Sequence, residues 1–127
     1  MTELLPFLKK LTAAPGISGY EAPARRIIEE AWSPLVDELS VSRLGSLHGL
    51  RRGSDPEPRQ SILIAAHMDA IGLMVTRVEA GFLHFTDIGG VDPRVLPGQP
   101  VTVYGREELP GIVVQPPLPL LPTQHRE

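Results

Sequence analysis

Along residues 2–12 the apolar side chains Leu4, Leu5, Leu8 and Leu11 recur three and four positions apart, which predicts one face of an α-helix. Pro6 is compatible with that helix if it lies in the first turn, where its missing N–H has no intrahelical partner. Ala14-Pro15-Gly16 ends it. Ser18-Gly-Tyr-Glu21 has the spacing of a capping box, and Ile27, Ile28, Ala31 and Trp32 then form the buried stripe of a second helix closed by Ser33-Pro34. Pro23 fits poorly behind a cap at Ser18, which moves the expected start one or two residues later.

The pattern then turns strand-like. Residues 36–42 and 47–51 are short runs on either side of the turn Leu44-Gly45-Ser46, and Asp55-Pro-Glu-Pro58 is a polar loop. Residues 61–66 are apolar on both faces, as the central strands of α/β sheets are, and predict a buried strand. Residues 71–78 and 82–88 predict a β-hairpin through Glu79-Ala-Gly81. Gly89-Gly90-Val91-Asp92-Pro93 is a loop, and residues 100–104 and 111–115 predict two further short strands. Two helices and a mixed sheet therefore precede residue 70, and an all-β segment follows. The expected organisation is an α/β part over 1–69 and a β part over 70–127, the proline-rich stretch 116–127 being an extended connector.

Bulk properties narrow the classes. At 127 residues there is room for one ordinary domain and not for two full ones. Twelve basic against 15 acidic residues leave a net charge of −3, with no electrostatic footprint for nucleic acid and no basic face for an anionic membrane. No apolar run approaches the roughly 20 residues that span a bilayer. Met-Thr-Glu-Leu-Leu-Pro is not a signal peptide, so a cytoplasmic location is expected. With no cysteine there is no disulfide framework, thiolate metal site or cysteine nucleophile.

The candidate chemistry sits where the apolar run 61–66 meets His67 and Asp69. Ligands of open α/β sheets bind at the carboxyl ends of strands. A neutral imidazole there is a good zinc or cobalt ligand, and it needs its second ring nitrogen oriented by an acceptor, for which Asp69 is one candidate. The spacing alone leaves a second reading open, a histidine satisfied by backbone at a strand end. His48 and His84 read as surface strand residues, His125 lies in the tail, and Glu29 and Glu30 read as a solvated helix face. No serine stands in a nucleophile-elbow context.

A family resemblance changes the balance. Ala65-Ala-His-Met-Asp-Ala-Ile-Gly72, Phe82-x-x-Phe85, Ile88-Gly-Gly-Val-Asp-Pro93 and Leu96-Pro-Gly98 follow one another as in family forty-two of the metallopeptidases. These are glutamyl and TET-type dodecameric aminopeptidases, some of them labelled endoglucanases. Leu8-x-x-Leu11 and Pro15-Gly-x-Ser-Gly-Tyr-Glu21 resemble the family's opening segment, and Gly111-Ile-Val with Pro116-Pro-Leu-Pro-Leu-Leu121 resembles a later one. The resemblance thus runs from about residue 4 to at least residue 114.

The resemblance implies the N-terminal part of a zinc-peptidase α/β catalytic domain, followed by the start of an inserted small β-barrel (PDZ-like) domain that helps pair subunits. It implies that His67 is a ligand in a binuclear zinc or cobalt site and that Asp69 is the acidic residue buttressing it, often termed catalytic. Short peptides are the implied substrates, and a dodecamer built from dimers the implied assembly. Two positions depart from the family pattern: Ala70 stands where glutamate is usual, and Leu44-Gly45-Ser46 where Leu-Gly-Asn is usual.

Family members are also much longer, with the bridging aspartate, catalytic glutamate and remaining ligands downstream. A two-metal hydrolase needs both cations held close together and a carboxylate base. The chain is therefore expected to be a fragment that binds no cation tightly by itself. The alternative is an inert fragment acting only through subunit association. A glycosidase reading fits less well, since that chemistry normally needs two carboxylates flanking a sugar bond.

Overall fold

The computed structural model describes residues 3–115. The chain divides into two compact units, residues 1–90 and 91–127.

The first unit opens with α1 (Leu4–Ala13) and α2 (Ala22–Trp32). Pro6 falls in the first turn of α1, where the helix tolerates it. α2 begins at Ala22, later than a cap at Ser18 would place it. Glu21 occupies the cap position without a capping side-chain bond, and Pro23 lies in the first turn. The carboxylate of Glu21 instead accepts the Gly19 N–H at 2.6 Å. An exposed ion pair between Lys10 and Glu30, 3.0 Å apart, links the two helices, and such pairs contribute little in water.

Strands β1 (Glu38–Val41) and β2 (Leu47–Leu50) pair antiparallel across the turn, as the pattern predicts. Their link to α2 runs through Trp32. A Cβ at Gly49 would lie 3.1 Å from the Trp32 ring and 3.2 Å from Val36 Cγ1, so the missing side chain makes room for the indole on the strand. Strands β3 (Gly72–Glu79) and β4 (Phe82–Ile88) form the expected hairpin, with a bulge between Val75 and Arg77.

The β3–β4 turn places both Ala80 (φ 49°) and Gly81 (φ 83°) in the left-handed region, which suits the right-handed twist of the strands. That conformation costs alanine about 1–2 kcal/mol and costs glycine almost nothing. Ala80→Gly is expected to stabilise the hairpin by about 0.5–1 kcal/mol after glycine's extra chain entropy is subtracted. Hydrogen exchange of the β3 and β4 amides reads this directly, and unchanged or faster exchange would contradict it.

The structure departs from the expected sheet at residues 61–66. This run belongs to no strand, and Ile62, Leu63 and Ile64 are 89 %, 91 % and 89 % exposed. A central strand needs neighbours on both edges and cover on both faces. Among the described residues the sheets are three separate antiparallel pairs, and none adjoins this run. The mixed sheet expected before residue 70 is accordingly not formed, and the parallel bridge there is the isolated one between Ile17 and Ala70. The stripe on α2 is also less covered than its pattern suggests: Ile27, Ile28 and Ala31 are half-buried and Trp32 is 39 % exposed, while the buried residue of the helix is Ala24, outside the stripe.

In the second unit, Asp92 caps a 3₁₀ turn (Pro93–Val95), accepting the Arg94 N–H at 3.0 Å and pairing with its guanidinium at 2.8 Å. Strands β5 (Pro100–Tyr104) and β6 (Glu108–Ile112) pair antiparallel. β6 starts three residues before the expected position, with Pro110 opposite Thr102. A strand at the edge of a sheet tolerates a missing N–H. Val113 is buried, and its backbone N–H donates to the Gln99 carbonyl at 2.9 Å. The connector expected over 116–127 lies outside the described residues.

Candidate functional site at His67 and Asp69

The two residues singled out by the sequence meet. His67 Nδ1 lies 3.2 Å from Asp69 Oδ1 and 3.0 Å from the Asp69 carbonyl oxygen. Both partners are acceptors, so the geometry favours a proton on Nδ1, and in the neutral ring that leaves Nε2 with its lone pair. The imidazole is 86 % exposed and its carboxylate partner 38 %, so that lone pair faces open space.

The second carboxylate oxygen, Oδ2, accepts a hydrogen bond from the Ser18 hydroxyl. That bond is the first cause holding the Asp69 carboxyl below the usual carboxylate range. Partial desolvation opposes it, and the Asp69 backbone N–H and His67 add to it. Asp69 is therefore an anion throughout the neutral range.

Backbone geometry delivers these groups to one another. The Ala70 N–H donates to the Gly16 carbonyl at 2.7 Å beside the Ile17–Ala70 bridge, which ties the loop before α2 to the chain just after Asp69. A Cβ at Gly72 would overlap Ile17 Cγ2, so glycine at the start of β3 lets that loop close. A cleft of about 220 Å³ opens beside His67, between the turn 44–47 and residues 66–69, with Glu21 on its wall.

The donor chemistry suits one metal ligand and its orienting partner. His67 turns Nδ1 toward Asp69 and leaves Nε2 on its exposed side, and both oxygens of Asp69 are already engaged by His67 and Ser18. Among the described residues no three His, Cys, Asp or Glu side chains cluster as a cation site would require. His48 stays on the exposed face of β2, opposite Ser40. His84 lies in β4, its Nε2 3.5 Å from the Glu79 carboxylate, which itself pairs with Arg77 at 3.1 Å. Glu30 is solvent-facing as expected, while Glu29 is half-covered and pairs with Arg25 at 3.2 Å. Ser18 was not legible as part of the site: its spacing to Glu21 reads as a helix cap, and its actual partner lies 51 residues away.

A family model described as M42 glutamyl aminopeptidase matches residues 45–127. The chain belongs to this family. Among curated proteins it is 36 % identical over 114 residues to a lysyl aminopeptidase of Pyrococcus furiosus, covering 87 % of this chain and 32 % of that one. Among solved structures it is similar to a TET aminopeptidase from a marine sediment archaeon, Thaumarchaeota archaeon SCGC AB-539-E09. The TM-score there is 0.82 at 34 % identity, over 97 % of this chain and 34 % of the other. It is also similar to PhTET1-12s, solved as a dodecamer, with a TM-score of 0.73 at 35 % identity over 95 % of this chain and 37 % of that one.

The chain thus spans about a quarter to a third of the length of the curated relatives it matches. Its two helices and short sheets follow the aminopeptidase fold of those neighbours. The M42 family is metal-dependent, which is the chemistry the His67–Asp69 pair suits. No helix among the described residues is long and apolar enough to cross a membrane.

Proposed function

We propose that these 127 residues contribute part of the active site of a metal-dependent aminopeptidase that releases N-terminal residues from short peptides. The observation that carries this reading is the His67–Asp69 pair, with Nδ1 held by a carboxylate and Nε2 open, in a chain of the M42 family. His67 would hold one of two divalent cations, zinc or cobalt, through Nε2. Asp69 fixes the ring and supplies the negative charge that raises the basicity of the ligand nitrogen. When bound, the cations polarise the scissile carbonyl and lower the pKa of water. Among the described residues one imidazole and one already engaged carboxylate do not make a hydrolytic site, so further ligands and a catalytic base would have to join them.

The same reading extends to architecture. Residues 1–69 belong to the catalytic domain and residues from 70 onward to a small PDZ-like β-barrel that pairs subunits, within a homo-oligomer like the dodecameric relative. The protein works in the cytoplasm, without nucleic-acid or membrane partners.

Zinc dialysis of the purified chain tests the incompleteness of the site. Tight sites use three or four protein ligands, so stoichiometric zinc is not expected, nor is turnover of leucyl- or glutamyl-p-nitroanilide. Stoichiometric metal with His67-dependent turnover would overturn this part of the reading.

A second reading is an inert chain that acts only by association. The exposure of Ile62, Leu63 and Ile64 favours it, since an unpaired apolar run with open backbone groups recruits other strands.

A further inference from the structure

We propose that Ser18 is a positioning residue for the His67–Asp69 pair: its hydroxyl anchors one oxygen of Asp69 so that the other stays on His67 Nδ1, holding the histidine in the tautomer with Nε2 unprotonated. This deepens the reading of His67 as a metal ligand and rests on it for its functional consequence. The hydrogen-bond relay itself involves only residues of this chain.

Three observations converge. First, the two oxygens of Asp69 are divided, Oδ2 accepting from Ser18 and Oδ1 lying 3.2 Å from Nδ1, where it shares that nitrogen with the Asp69 backbone carbonyl at 3.0 Å. A carboxylate tethered at one oxygen cannot rotate freely about its terminal torsion, which is otherwise broad. Second, the Ser18 hydroxyl has no competing duty. α2 begins at Ala22, with Glu21 at the cap, so the serine that looks like a cap is spare. Third, Ser18 reaches Asp69 on a pinned backbone. The Ala70–Gly16 hydrogen bond, the Ile17–Ala70 bridge and the room left at Gly72 for Ile17 hold the loop without using the Ser18 side chain. Little entropy is then lost when the hydroxyl bonds, which matters because the site is open to water and competes with it.

That exposure also sets the scale. The relay shifts a population severalfold and does not act as an all-or-none lock. An isolated imidazole prefers its proton on Nε2, so an Nδ1–H majority at His67 is a distinctive signature.

The test is a long-range proton–nitrogen spectrum of the His67 ring in the metal-free chain, in mildly alkaline buffer. The parent and Ser18→Thr are expected to show the Nδ1–H form as the major species. Ser18→Val has the shape of Ser18→Thr without the hydroxyl, and it is expected to move the ratio severalfold toward Nε2–H, as is the smaller Ser18→Ala. Protection of the Ala70 amide and intact β3–β4 cross-peaks report that each variant keeps its fold, and either hydroxyl-free variant suffices. Equal tautomer ratios in the parent, Thr and hydroxyl-free chains would overturn the proposal, and so would an Nε2–H majority in the parent. The readout uses neither metal nor turnover, so failure of His67 as a ligand would leave it standing. Failure of the Ser18 relay would equally leave His67 as a ligand.

Discussion

In a polypeptide that carries this sequence together with the full ligand set, His67→Ala is expected to lower aminopeptidase activity by at least about a thousandfold and to remove one of the two bound cations. The reason is a lost ligand: among the described residues no other histidine is placed to replace it, since His48 lies in β2 and His84 in β4, already beside Glu79. Asp69→Asn is expected to behave differently. It keeps the shape and most of the metal, but it removes the charge that Nδ1–H donates to. Loss of such an outer partner typically costs about 10–100-fold in affinity or activity. The check is a pair of measurements on each variant, bound metal per subunit and kcat/KM on leucyl- and glutamyl-p-nitroanilide. Full activity in His67→Ala would remove the basis of the metal assignment. Equal metal loss in both variants would instead make Asp69 a direct ligand, against the geometry in which both its oxygens are occupied.

The second large effect concerns the exposed run. The chain is expected to associate in a concentration-dependent way, and Ile62→Lys with Ile64→Lys is expected to make it monomeric. These two side chains, two residues apart, lie on one face of an extended segment, and both are almost wholly exposed. Burying each in a self-contact gains about 1.5–3 kcal/mol. Removing both therefore weakens association by about 10²–10⁴-fold at 1.4 kcal/mol per tenfold. Lysines also set like charges against each other across any edge-to-edge pair. Sedimentation velocity over a concentration series measures the change, and circular dichroism should stay as in the parent, because the run is in no ladder. A parent chain that is monomeric at every concentration would defeat the expectation, as would association that persists in the double variant.

What the sequence by itself determined is the local part of the molecule. Leucines three and four apart suffice for α1, because helix hydrogen bonds close within four residues and Pro6 falls where no donor is needed. The β3–β4 hairpin is equally local, its register following from a two-residue turn ending in Gly81. The pairing of His67 with Asp69 was legible too, since two residues of extended chain bring the side chains within reach.

Tertiary structure alone decided the rest. The apolar run 61–66 has the composition of a core strand, yet a strand exists only with partners, and none among the described residues adjoins it. Ser18 carries a helix-cap spacing, but the backbone tie between Gly16 and Ala70 draws its hydroxyl to Asp69 instead. Both outcomes depend on contacts between residues far apart in the chain, whose geometry no short-range pattern encodes.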